Sequence, residues 1–140
     1  MTPKLGIPEL QDFLAAEFPQ VADDFVVRNV GAMTLDLTMA PQERHLRPGG
    51  TVSGPSLFAL ADCGVYLCLI AMVGPEALAV TTNASIDFMR KPEAGQTLLA
   101  NVRLLKLGRS LVVGDVQIRP ETGVDLVARA TLTYSRPRSA

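Results

Sequence analysis

The most apolar stretch of this 140-residue chain contains one charged side chain: between Ser56 and Val73 it is Asp62. Burying an unpaired carboxylate is costly, so Asp62 needs either a partner that fixes the register of its segment, with Arg47, His45 and Arg90 as candidates, or a pocket that uses the charge. Just upstream, Ser53-Gly54-Pro55 has the composition of a helix start, where backbone N–H groups lack intrahelical acceptors and the positive end of the helix dipole is exposed. Pro55 has no N–H, which leaves those of Gly54, Ser56 and Leu57. The single histidine, His45, could in principle activate Ser53 or Ser56. The strand-to-helix elbow Gly-x-Ser-x-Gly is absent, however, because Thr51 stands where its first glycine would be. One histidine and two cysteines also make no zinc set of the usual spacing. Cys63 and Cys68 lie about 140° apart around a helix and are expected to be small buried hydrophobes in a reducing compartment. No metal and no glycine-rich phosphate loop is expected.

These residues must be positioned by a small number of elements. Ser53-Gly54-Pro55 opens a helix and Gly74-Pro75 closes it, and the apolar residues between them keep to no single stripe, so helix 53–73 is expected to be buried on all sides. Its run of about 18 residues touches the lower limit for a membrane span. Asp62 and Gly64 inside it, and the lack of close Lys or Arg on the C-terminal side, favour a buried core helix instead. Residues 8–18 have helical spacing and cover the core within a 1–23 lead-in. Residues 25–30 and 32–40 read as a hairpin broken at Gly31, and 41–52 as a loop. Four further strands are expected at 77–90, 97–107, 110–119 and 124–135, separated by Pro- and Gly-containing turns. In the last two, alternation sets Val112, Gly114, Val116 and Ile118 on one face, and Val124, Leu126, Ala128, Ala130, Leu132 and Tyr134 on one face, opposite Asp125, Val127, Arg129, Thr131 and Thr133. An antiparallel sheet with one apolar face needs a cover, and helix 53–73 is the element long enough to supply it.

The whole of 1–140 therefore reads as one α+β domain. A formal net charge of −1 gives no general pull toward nucleic acid or an anionic membrane. Acidic residues at positions 9, 12 and 17 oppose a targeting peptide, so a cytoplasmic location is expected.

The element order resembles the hotdog fold, an antiparallel sheet wrapped around a long central helix. The segment Gly54-Pro55-Ser56-Leu57-Phe58-Ala59-Leu60-Ala61-Asp62 is similar to the His-Gly-Gly-x-x-x-x-Leu-Ala-Asp signature of its phenylacetate-degradation (PaaI-like) acyl-CoA thioesterases. Ser85-Ile86-Asp87-Phe88-Met89-Arg90 with Ala94-Gly95 is similar to a second family segment, and the likeness runs from about Pro41 to Tyr134. The resemblance implies that Asp62 is the nucleophile or general base, that the Gly54 N–H points at the thioester oxygen, and that Ser85 holds the attacking water. Ser53, Pro55 and Arg47 depart from the family pattern, standing for its His, second Gly and Asn.

Gly54 and Asp62 are eight residues apart, about 12 Å along one helix, and cannot both touch one thioester carbon. A site using both must join two subunits with antiparallel central helices, so a homodimer is expected, with a tetramer also open. The substrate would be an acyl-CoA, coenzyme A belonging to the substrate and no separate cofactor being needed. Asn83 shares a face with Ser85; the packing of Phe58, Tyr66, Met89 and the N-terminal helix across the interface is expected to set the depth of the acyl pocket. Arg90, Lys91, Lys106 and Arg109, at strand ends and turns, could grip the phosphates of coenzyme A. A module that binds acyl-CoA without turnover, and a hydratase or dehydratase using His45, are the alternatives.

Overall fold

The computed structural model describes residues 1–137. Helix α1 (Ile7–Glu17) starts with Pro8 in its first turn and with the Glu9 carboxylate accepting the Gly6 N–H at 3.1 Å, and it buries Leu10, Phe13 and Leu14. A short 3-10 turn leads into the hairpin of β1 (Val26–Gly31) and β2 (Thr34–Met39). Its turn residue Met33 has φ 61°, while Leu35, Leu37 and Met39 are buried. After a loop come the long helix α2 (Gly54–Val73) and strands β3 (Val80–Phe88), β4 (Leu98–Leu107), β5 (Leu111–Pro120) and β6 (Ala128–Ser135).

All six strands form one antiparallel sheet in the order β1-β2-β4-β5-β6-β3. The chain leaves α2 to lay β3 at the far edge beside β6, so β3 has one neighbour and one open side. Helix α2 crosses the inner face, packing mainly on β2, β4 and β5. The close approach depends on two glycines. A Cβ on Gly64 would lie 2.7 Å from Val102 Cγ2, and one on Gly114 would lie 2.7 Å and 2.9 Å from the two Val65 methyls. Gly114→Ala is therefore expected to lower the unfolding free energy by about 1–3 kcal/mol in urea titration, with Val65→Ala recovering part of the loss in the double variant.

Two expectations need correction. Helix α2 buries thirteen of its twenty residues, yet it is not enclosed on all sides. Pro55 is exposed and Phe58, Ala59 and Asp62 are half-buried, at the spacing of one helical face, so a stripe along the first half remains uncovered. The last strand begins at Ala128 rather than Val124: residues 124–126 run over the surface, Val124 being 88% exposed. Within the observed strands the predicted apolar faces are buried, with Val112, Val116, Ile118, Ala128, Ala130, Leu132 and Tyr134 all inside. The alternation does not extend to 124–127, where Val124 is exposed and Val127, expected on the opposite face, is buried.

Candidate active site

Ser53 caps α2. Its hydroxyl oxygen accepts the Ser56 N–H at 3.3 Å and donates to Ser56 Oγ at 2.9 Å, while its carbonyl takes the N–H groups of Ser56 and Leu57. Two of the three candidate donors are thus already engaged. The N–H of Gly54 has no acceptor among the described residues, and the Phe88 ring lies over this glycine, 3.2 Å from where a Cβ would stand.

Two turns further on, Asp62 meets β3 and β6. Its Oδ1 accepts two hydroxyl donors, Thr81 Oγ1 at 2.6 Å and the Tyr134 phenol at 2.8 Å, and the phenol also lies 3.1 Å from the Asp62 carbonyl oxygen. None of Arg47, His45 or Arg90 pairs with it, and no other cation among the described residues does. No buried side-chain polar atom among the described residues lacks a partner, so Oδ2, which carries no hydrogen bond, is open to its surroundings. Those surroundings are a cavity of about 450 Å³ between α2, the start of β3 and the end of α1. Its walls include Phe18, Val21, Phe25, Ala59, Tyr66, Ala77 and Ala79, with Glu17 and Gln20 among the polar ones. Cys63 also faces the cavity, but burial and then the neighbouring Asp62 charge push its thiol well above the usual range, so it stays protonated. Cys68, deeper in the core, is pushed up to about 12 by burial.

The remaining candidates divide. Tyr66 lines the cavity, its hydroxyl anchored 3.0 Å from the Ala77 carbonyl and its ring stacked on Tyr134 with centroids 6.0 Å apart. Phe58 lies on the uncovered stripe of α2 and is not a cavity wall. Ser85 and Asn83 are not brought to Asp62. They pair with Thr131 and Thr133 on the outer face of the sheet, and Asp87 on that face bonds Arg129 at 2.9 Å. The cause is a bulge between Thr81 and Asn83: Thr81 faces inward opposite Tyr134, the extra residue Thr82 shifts the phase, and 83, 85 and 87 then point outward. The hydroxyl beside the carboxylate is Thr81.

His45 is buried and both its ring nitrogens are engaged. Nδ1 accepts the Gln42 N–H at 2.9 Å and Nε2 lies 3.4 Å from Asp24 Oδ2, so it activates neither Ser53 nor Ser56. Arg47 is exposed on the turn closed by the Leu46–Val52 bridge. Arg90 and Lys91 follow β3 at the end of the sheet where Phe88 covers Gly54, whereas Lys106 and Arg109 lie at the β4–β5 turn at the opposite end. The four do not form one cationic patch within a chain.

Sequence reasoning missed Thr81 and Tyr134. A signal for the tyrosine was present: alternation places it on the helix-facing side of β6, and a buried phenol needs a hydrogen-bond partner, of which α2 offers one carboxylate.

The chain as a whole is similar to known proteins. The family model described as thioesterase superfamily matches residues 49–135, more than half of the chain. A Silicibacter sp. TM1040 protein, provisionally named a thioesterase, is 51% identical and superposes with a TM-score of 0.91 over 99% of this chain and 96% of its own. The phenylacetic acid degradation protein PaaI of Thermus thermophilus, solved as a point mutant, is 27% identical, with a TM-score of 0.74 over 85% of this chain and 99% of that one. A Streptococcus mutans UA159 protein solved with acetyl CoA bound is 26% identical, with a TM-score of 0.72 over 81% and 88%. Sequence and fold agree over most of the chain's length: it is a hotdog-fold protein and belongs to the thioesterase superfamily.

Proposed function

We propose that the protein hydrolyses acyl-CoA thioesters to the free acid and coenzyme A, at sites shared between the two subunits of a homodimer. The observation that carries this reading is Asp62: a carboxylate on a core helix, held by two hydroxyls, paired with no cation among the described residues, and open through one oxygen to a largely apolar cavity. A carboxylate kept only for structure would be expected to have a cation. The acetyl-CoA complex of the Streptococcus mutans relative supports a CoA thioester as the ligand class.

Hydrolysis by the general-base route has Oδ2 take a proton from water as the oxygen adds to the thioester carbonyl. The C–S bond then breaks and the proton passes to the departing thiolate. In the nucleophilic route Oδ2 itself adds, the thiolate leaves, and water cleaves the resulting anhydride. Both need a donor for the developing oxyanion, and the unpaired N–H of Gly54 is the best placed at the helix start. It lies too far along α2 to serve its own Asp62. The open edge of β3, with Val80, Phe88 and Met89 exposed beside it, and the uncovered stripe of α2 both support self-pairing. Antiparallel pairing of two β3 strands would set the two α2 helices side by side in opposite directions, bringing Asp62 of one to Gly54 of the other. It would also bring Arg90 and Lys91 of one chain toward the sheet end bearing the other's Lys106 and Arg109.

The cavity beside Asp62 is the natural receptacle for the acyl group. It holds two carboxylates, Glu17 and Asp62, and no Lys, Arg or His among its lining residues. An acyl chain ending in a carboxylate is therefore repelled at both. Thiol release from a panel of acyl-CoAs tests the function and the class together. Neutral aliphatic or aromatic acyl groups should turn over, and succinyl- and glutaryl-CoA should have kcat/KM at least about tenfold lower, a difference of about 1.4 kcal/mol. Saturable binding with no thiol release from any member would replace the enzyme by a non-catalytic acyl-CoA binding module. A hydratase is disfavoured because His45, the chain's one histidine, is fastened at both ring nitrogens.

A further inference from the structure

We propose that Tyr134 is a positioning residue: with Thr81 it commits Oδ1 of Asp62 to the scaffold, so that Oδ2 alone is presented to the substrate. The inference rests on the thioesterase reading and extends it to a residue whose hydroxyl acts through Asp62, while its ring is one of the cavity walls.

A carboxylate attached through a rotatable bond exchanges its two oxygens by rotation. Two hydroxyl donors converging on Oδ1, Thr81 at 2.6 Å, in the range of a charge-assisted O–H···O⁻ bond, and Tyr134 at 2.8 Å, oppose that rotation and leave Oδ2 toward the cavity. The two donors come from different strands, which are themselves paired at this point, Thr81 opposite Tyr134. The phenol is rigidly placed. Tyr134 is 3% exposed, lies on the inner face of β6 opposite Val112 of β5, and stacks on Tyr66, whose own hydroxyl is tied to the Ala77 carbonyl. Burial, reinforced by the Asp62 charge, raises the phenol's pKa far above neutrality, so it remains a donor throughout the working range. Donation to Oδ1 draws some charge from the carboxylate and so tempers its reactivity. The gain is orientation, where a misplacement of about 1 Å can cost on the order of 100-fold in rate.

Tyr134→Phe removes the hydroxyl and keeps the ring that packs on Tyr66. Its kcat is expected to fall roughly 10- to 100-fold with KM within about twofold of wild type, because the ring that lines the cavity is kept and the hydroxyl that is lost contacts the carboxylate. The decisive comparison adds Asp62→Asn to it. If Tyr134 acts through Asp62, the double variant is no slower than Asp62→Asn alone, whereas a purely structural role multiplies the two losses. Thr81→Val should show the same pattern and Thr81→Ser should restore the rate. Circular dichroism and thermal melting identify any variant that has failed to fold, in which case the Thr81 pair decides. Unchanged kcat in a folded Tyr134→Phe, or multiplicative losses in the double variant, overturns the proposal while leaving the thioesterase reading intact. A wild type that releases no thiol from any acyl-CoA overturns both.

Discussion

Asp62→Asn is expected to lower kcat for a neutral acyl-CoA about 1000-fold or more while leaving the melting temperature close to that of the wild type. The asparagine keeps the shape of the side chain and an oxygen able to accept from Thr81 and Tyr134 at the positions recorded for Oδ1. It loses the charge and the basic oxygen, and a general base or covalent nucleophile contributes on the order of 100- to 10,000-fold. The fold tolerates the exchange because the carboxylate anchors no ion pair among the described residues, and an amide at a half-buried site is cheaper to desolvate than a charge. The measurement is steady-state thiol release beside thermal melting. Turnover that survives in the folded variant would remove Asp62 from the chemistry and send the search to another residue.

The second large effect is expected at Gly54. Gly54→Pro deletes the N–H that is unengaged among the described residues at the start of α2, and proline suits the first turn of a helix. Because any Cβ here meets the exposed Phe88 ring at 3.2 Å, Gly54→Ala, which crowds that ring but keeps the N–H, is the control that isolates the loss of the donor. Losing one oxyanion donor typically costs about 100- to 1000-fold in kcat. More informative is the mixture of the two inactive chains. If each site takes Asp62 from one subunit and Gly54 from the other, a heterodimer of Asp62→Asn with Gly54→Pro has one doubly damaged site and one intact site. Unfolding and refolding equal amounts together should then restore about a quarter of wild-type activity, from half the dimers and half their sites. A site built within one chain would give no recovery at all, since neither chain carries an intact set. Sedimentation of the mixture confirms that the chains have reassociated.

The two experiments separate the chemistry from the assembly. Loss with Asp62→Asn but no recovery in the mixture would keep the catalytic carboxylate and discard the shared site. In that event the free edge of β3 and the uncovered stripe of α2 would need another occupant.

Much of this was legible without coordinates. The caps at Ser53 and Gly74 located the central helix to within a position, and the one charge in the apolar run between them singled out Asp62 as the side chain whose burial needs partners, because helix signals and burial costs are local or nearly so. Alternation read through 111–118 and 124–134 separated the two faces of β5 and of β6 from Ala128 onward, since period 2 survives wherever pairing is regular, and failed over 124–126, which lie before the strand. The tertiary structure decided what depends on departures from regularity and on distance through space. The bulge at Thr81–Asn83 turns Ser85 and Asn83 to the outer face and delivers Thr81 to the carboxylate, and a single unpaired residue leaves no mark on composition. The crossing of β3 to the far edge beside β6 set Tyr134 and Thr81 opposite each other, though they are far apart in sequence, and divided the basic turns between opposite ends of the sheet. Sequence could name the charge that must be satisfied; only strand order and register could say which hydroxyls satisfy it, because they come from strands that meet only in the folded sheet.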